Sequence, residues 1–164
     1  NKVKNSFNKT FVNNETSFFD WVRESKENDE FTINQLIPLS LNFRCCEDAH
    51  AVKVLKRIES DLVTPFGLRI FAKNNNKQNI KEYERHLIKP GLTSMYIQAC
   101  MHYRPVSHDT LKNFKPLIDL AKKGLLGCIP EYVTTTKEQN QVGILDFTPA
   151  MADWVWLEYI FSKQ

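Results

Sequence analysis

Apolar residues recur at helical spacing along most of this chain, and the stripes are separated by proline, glycine or polar runs. Val52, Leu55, Ile58 and Leu62 fall on one face of a predicted helix opened by Glu47 and Asp48, whose negative charge suits a helix N-terminus. Lys56, Arg57 and Glu59 fill its wet side. A short first helix is expected over residues 2 to 12, and an aromatic extended segment over 17 to 23. Thr32 caps a helix running to about Leu41, with Leu36, Leu39 and Ile37 inward. Pro90 and Gly91 introduce a helix to about Tyr103 that is apolar on more than one side and is therefore expected to be buried.

The next stripe, Leu111, Phe114, Leu117, Ile118 and Ala121, starts at Ser107 and Thr110 and stops at Lys122-Lys123-Gly124, with Pro116 kinking or restarting it. Thr148 as N-cap and Pro149 at the first helical position open the last helix. The pattern predicts an all-α chain of helices paired in three hairpins, with little sheet.

One break has unusual chemistry. In Thr64-Pro65-Phe66-Gly67, Pro65 fixes its own φ and disfavours helix at Thr64, while Gly67 can take a positive φ. The helix must end there, and the turn delivers Arg69 to one defined place. The polar tract Lys73-Asn74-Asn75-Asn76-Lys77-Gln78-Asn79 is expected to be a surface loop.

Composition narrows the partners. The chain has 164 residues, 42% apolar and 25% charged, enough for one domain spanning 1–164. A dispersed net charge of +3 argues against nucleic acid, and no run approaches the roughly 20 apolar residues of a membrane span. Cys45, Cys46, Cys100 and Cys128 lack metal-ligand spacing, as do His50, His102 and His108. No metal and no cofactor is expected, and reduced thiols point to a cytoplasmic setting. The chain starts at Asn1 without Met, which raises the expectation of a domain cut from a longer protein.

Several segments together resemble the C-terminal catalytic domain of glycogen debranching enzymes, of the amylo-α-1,6-glucosidase type. Phe7 to Phe11 with Phe18-Phe19-Asp20-Trp21-Val22 looks like that family's aromatic entry, and Asn34-Gln35-Leu36-Ile37-Pro38-Leu39-Ser40-Leu41 like its Asn-Gln helix. Leu62 to Arg69 is similar to its Leu-Leu-Thr-Pro-Tyr-Gly-Leu-Arg corner, and Gly127-Cys128-Ile129-Pro130-Glu131 to its Gly-Ser-Ile-Ser-Glu loop. Ala152 to Glu158 stands where the family has its final helix motif. With a two-residue deletion, His86 and Pro90 align with the His and Pro of its sugar-pocket segment, whose two tryptophans have no counterpart here.

The resemblance implies an α/α toroid, a closed ring of helical hairpins, of which this chain would be the C-terminal half. It also implies hydrolysis of α-1,6-glucosidic bonds in glycogen or related α-glucans by an inverting pair of carboxyl groups. One protonates the leaving oxygen and the other activates water. Glu131 matches the base. Asn34, Gln35, Arg69, His86 and Tyr132 match or adjoin positions that would bind sugar. The acid would lie upstream of the aromatic entry, so the implied partners are an α-glucan or oligosaccharide and the remaining N-terminal part of the protein. The 164 residues alone would then be inactive. Two other readings are a non-catalytic α-glucan-binding relative and a helical-hairpin scaffold that binds protein.

Overall fold

The computed structural model describes residues 2–14, 17–18, 22–23, 26–27, 31–72, 82–106, 110, 112–123, 128–135, 141–143 and 147–162. The chain is mostly helical with some antiparallel strands. Helix α1 (Lys2–Phe11) leads into β1 (Val12–Asn14), which pairs antiparallel with β2 (Ser17–Phe18). A second small hairpin joins β3 (Val22–Arg23) to β4 (Lys26–Glu27), so the described part of the aromatic segment is extended as expected.

Thr32 caps as its hydroxyl predicts, its Oγ1 accepting the Asn34 N–H at 3.2 Å. What it caps is a 3-10 turn (Ile33–Leu36), followed by the short α2 (Ile37–Ser40). Leu36 and Leu39 are fully buried, but Ile37 points out and is 51% exposed.

Helix α3 (Asp48–Asp61) buries Ala51, Val54, Leu55 and Ile58, and Leu62 continues the row. Ala51, Leu55, Ile58 and Leu62 follow steps of four, three and four, which keeps them on one side. Val52, expected inside, sits one step of about 100° off that row and is only half-buried. Each fully buried Leu or Ile contributes about 1.5 to 3 kcal/mol through removal of apolar surface from water.

The chain then enters a sheet that the apolar spacing did not announce. Strands β5 (Val63–Thr64), β6 (Gly67–Arg69), β7 (Leu87–Lys89), β8 (Tyr132–Thr134) and β9 (Gln141–Val142) pair antiparallel in that order. The connection from α3 to α4 (Thr93–Tyr103) therefore runs through three strands instead of a short turn, although the two helices still pack on one another. The expected succession of short-looped helical hairpins is corrected to helices packed beside this sheet.

Helix α4 is the central helix. It follows a Pro90–Leu92 turn in which Thr93 Oγ1 donates to the Pro90 carbonyl at 2.8 Å, and it buries Tyr96, Ile97, Ala99 and Cys100. Helix α5 (Lys115–Lys123) restarts behind Phe114 with Pro116 in its first turn, where a missing N–H costs nothing. The expected start at Ser107 and Leu111 lies outside the described residues, as does the 73–79 tract. Helix α6 (Thr148–Phe161) begins at the expected Thr-Pro pair and packs on α4 and on the Pro90–Leu92 turn. Trp154 packs against the main core and a smaller cluster of Leu117, Ile129 and Ala150. Trp156 is 37% exposed beside Val155 and Tyr159.

Candidate active site

The segment carrying Glu131 is fixed from both ends. Ile129 and Pro130 are buried, and the Ile129 carbonyl accepts the Phe147 N–H at 3.0 Å, which ties the start of β8 to the entrance of α6. Glu131 itself is half-buried and stands immediately before β8. Across the β8–β9 pair Tyr132 faces Val142 and Val133 faces Gln141, so the next step of the register sets Glu131 opposite Gly143.

Gly143 has φ +80°. A Cβ at that position would come within 2.8 Å of Glu131 Oε2 and 3.2 Å of Tyr132 Cδ2. The carboxylate thus lies against the Gly143 backbone, next to the tyrosine ring. Burial raises the Tyr132 phenol above its ordinary value, and the charge of Glu131 and a side-chain hydrogen bond with it raise it further. Lys89 Nζ stands 5.6 Å from the centre of the same ring, close enough for a cation–π contact at an exposed site.

Arg69 belongs to the same sheet. It pairs with Ile88, which pairs with Val133, while Leu68 pairs with Lys89 in the neighbouring row. Adjacent rows point to opposite faces, so Arg69 and Tyr132 start from different sides of the sheet. The Arg69 Nε is buried without a hydrogen-bond partner among the described residues, and burial holds the guanidinium below its usual pKa.

His86 is exposed at the far end of the β7–β8 pair, where its Nδ1 lies 3.0 Å from Thr135 Oγ1 and its carbonyl accepts the Thr135 N–H at 2.8 Å. Thr135 is four steps of extended chain from Glu131, about 13 Å.

Asn34 and Gln35 lie elsewhere. The Gln35 side chain is fully buried and exchanges two hydrogen bonds with the Phe18 backbone, at 2.8 and 3.0 Å. Asn34 is exposed on the rim of an apolar groove of about 500 Å³ whose walls include Phe7, Phe11, Pro38 and Phe43. Their segment is tied to the residue that follows Arg69, since Ile33 N–H donates to the Ile70 carbonyl at 2.9 Å. Glu131 and Arg69 do not line that groove.

The expected residues therefore fall in separate places: Glu131 with Tyr132, Arg69 on the same sheet, His86 at its far end, and the Asn34-Gln35 pair at the groove. Gly143 and Lys89 join Glu131 and Tyr132, and the sequence gives little sign of them. A lone glycine after a polar run is the only trace of Gly143, because its significance depends on a cross-strand register. Among the described residues no group of His, Cys, Asp or Glu is arranged to hold a metal. No described helix is long and apolar enough to cross a membrane.

A family model described as amylo-alpha-1,6-glucosidase matches residues 1–145, a span that contains Glu131, Tyr132, Arg69 and Gly143. No curated protein matches the chain.

Proposed function

The chain belongs to the amylo-alpha-1,6-glucosidase family, and from that premise we propose that it supplies the base of an inverting α-1,6-glucosidase acting on glycogen or a related α-glucan. The observation that carries this reading is the fixing of Glu131. It is a carboxylate held at the start of an interior strand by buried neighbours on one side and a glycine on the other. A general base needs a defined direction toward its water, and an anchored carboxylate provides one.

In this reading Glu131 removes the proton from a water that attacks the anomeric carbon. A second carboxyl group, outside these residues, protonates the departing glycosidic oxygen. Roughly 6.5 to 9.5 Å between the two leaves room for that water. Arg69 contributes its planar guanidinium for sugar hydroxyls. Asn34 offers an exposed amide beside aromatic walls, and Gln35 holds that segment in place through Phe18. His86 and Tyr132, at the two ends of the β7–β8 pair, would each meet a sugar hydroxyl. The free cysteines agree with a cytoplasmic setting.

The test is Glu131→Gln in the full-length protein, assayed on a branched limit-dextrin substrate. Hydrolysis is expected to fall by orders of magnitude with little change in KM, since the amide keeps the size of the side chain and loses its basicity. Equal rates would replace this reading with that of a non-catalytic α-glucan-binding relative.

A further inference from the structure

We propose that Tyr132 and Gly143 are positioning residues that set the direction of the Glu131 carboxylate, Tyr132 by a hydrogen bond and Gly143 by the space its missing side chain leaves. The functional half of this inference rests on Glu131 being the base; the geometric half does not.

Gly143 carries the first argument. A built Cβ would lie 2.8 Å from Glu131 Oε2 and 3.3 Å from Glu131 Cβ, so any other residue at 143 meets the carboxylate at both its tip and its root. The φ of +80° adds a second constraint, because L side chains are strained in that region. One glycine thus lets the backbone of β9 turn and lets the carboxylate lie flat on it.

Tyr132 carries the second. Its ring edge closes on the same point, with Cδ2 3.2 Å from where a Cβ at 143 would stand. The ring and the Glu131 carboxylate thus approach one point, 3.2 and 2.8 Å from it, which puts the phenol on the carboxylate's side as its donor. Lys89, across the strand pair, sets its ammonium 5.6 Å from the ring centre, a cation–π contact with the same ring. A glutamate side chain has three rotatable torsions, and holding it in one rotamer is a large part of what separates a base from an exposed acid. A misplacement of about 1 Å at a reacting group can cost roughly 100-fold in rate.

The test uses the full-length protein and three variants. Ultraviolet difference titration against Tyr132→Phe isolates the Tyr132 phenol, and in Glu131→Gln its ionisation should shift to lower pH. Tyr132→Phe, which keeps the ring, should lower kcat by roughly 10- to 100-fold with KM nearly unchanged. Gly143→Ala should do the same and should move the carboxyl carbon resonance of Glu131. An unshifted Tyr132 titration in Glu131→Gln would overturn the tether. Full kcat in Tyr132→Phe, in an enzyme that Glu131→Gln inactivates, would overturn the positioning role while leaving the base in place. If Glu131→Gln is fully active, the functional reading fails by itself and the titration still decides the tether.

Discussion

Gly67 lies directly against Pro90, so that a Cβ on Gly67 would stand 2.8 Å from Pro90 Cα and 2.9 Å from the Lys89 carbonyl oxygen. The same glycine has φ +124°, a conformation that side chains rarely adopt. The Thr64-Pro65-Phe66-Gly67 turn is locked from within as well, since Thr64 Oγ1 donates to the Gly67 carbonyl at 2.8 Å and accepts the Phe66 N–H at 3.2 Å. Gly67→Val should therefore destabilise the fold by about 3 kcal/mol, from strain plus separation of β6 from β7. Chemical denaturation measures it, and an unchanged midpoint would refute the contact.

This turn shows what the sequence discloses and what it withholds. The Pro-Gly chemistry is local, so the end of the helix, the turn and the positive φ at Gly67 are all readable from residue types. What the turn connects is not local. It joins β5 to β6 in a sheet completed by residues about 20 and 65 positions further on, as the pairings of Leu68 with Lys89 and Ile88 with Val133 show. Strands of two or three residues are too short for alternation to register. The helices of the core were legible because Leu55, Ile58 and Leu62 repeat their spacing within one element. The loop motif singles out Glu131 as a candidate, whereas Gly143 and Lys89 approach it only through the register of β7, β8 and β9.

A second expectation concerns the link between α3 and the end of α4. Arg104 donates to both oxygens of Glu59 at 2.9 Å, and Tyr96 donates to the same carboxylate at 3.1 Å. The Arg104 hydrogen bond, against some desolvation, holds the Glu59 carboxyl below its ordinary range. A depressed carboxylate contributes stability above its unfolded value, about 4.3, and loses it as pH falls through the folded value. Both side chains are partly exposed, at 46% for Glu59 and 30% for Arg104, so screening limits their coupling to about 1 kcal/mol. A double-mutant cycle with Glu59→Gln and Arg104→Met should give that coupling at neutral pH and almost none in strong acid. A pH-independent value would show that packing, not charge, links the two helices.

Asp153 on α6 behaves in the opposite sense. Burial raises its carboxyl, with a Ser94 hydrogen bond opposing. For a carboxyl raised in the folded state, the stabilising contribution is present below the unfolded value, about 3.9, and is lost as pH rises through the folded value. Asp153→Asn keeps a hydrogen-bonding group toward Ser94 and never ionises. Its melting temperature should exceed that of the unsubstituted protein at pH 7 and converge with it below about pH 4. Calorimetry at the two pH values decides this, and a variant less stable at pH 7 would mean that the ionised carboxylate is stabilising.

Arg69 separates a structural role from a functional one. Its Nε is buried without a described hydrogen-bond partner, and the guanidinium is held down by burial alone. A buried donor in that state costs stability, because its desolvation is not repaid by an acceptor. Arg69→Met retains most of the aliphatic stem and removes the charge. The variant should unfold at a denaturant concentration equal to or higher than the unsubstituted chain, a gain of up to about 1 kcal/mol. In the full-length protein it should also bind maltooligosaccharides more weakly, by roughly tenfold, as expected when a charge-assisted hydrogen bond of about 1.5 kcal/mol is lost. Gained stability with lost affinity is the pattern of an arginine kept for a ligand. A destabilised variant with unchanged glucan affinity would instead make Arg69 a packing residue of the β6 strand.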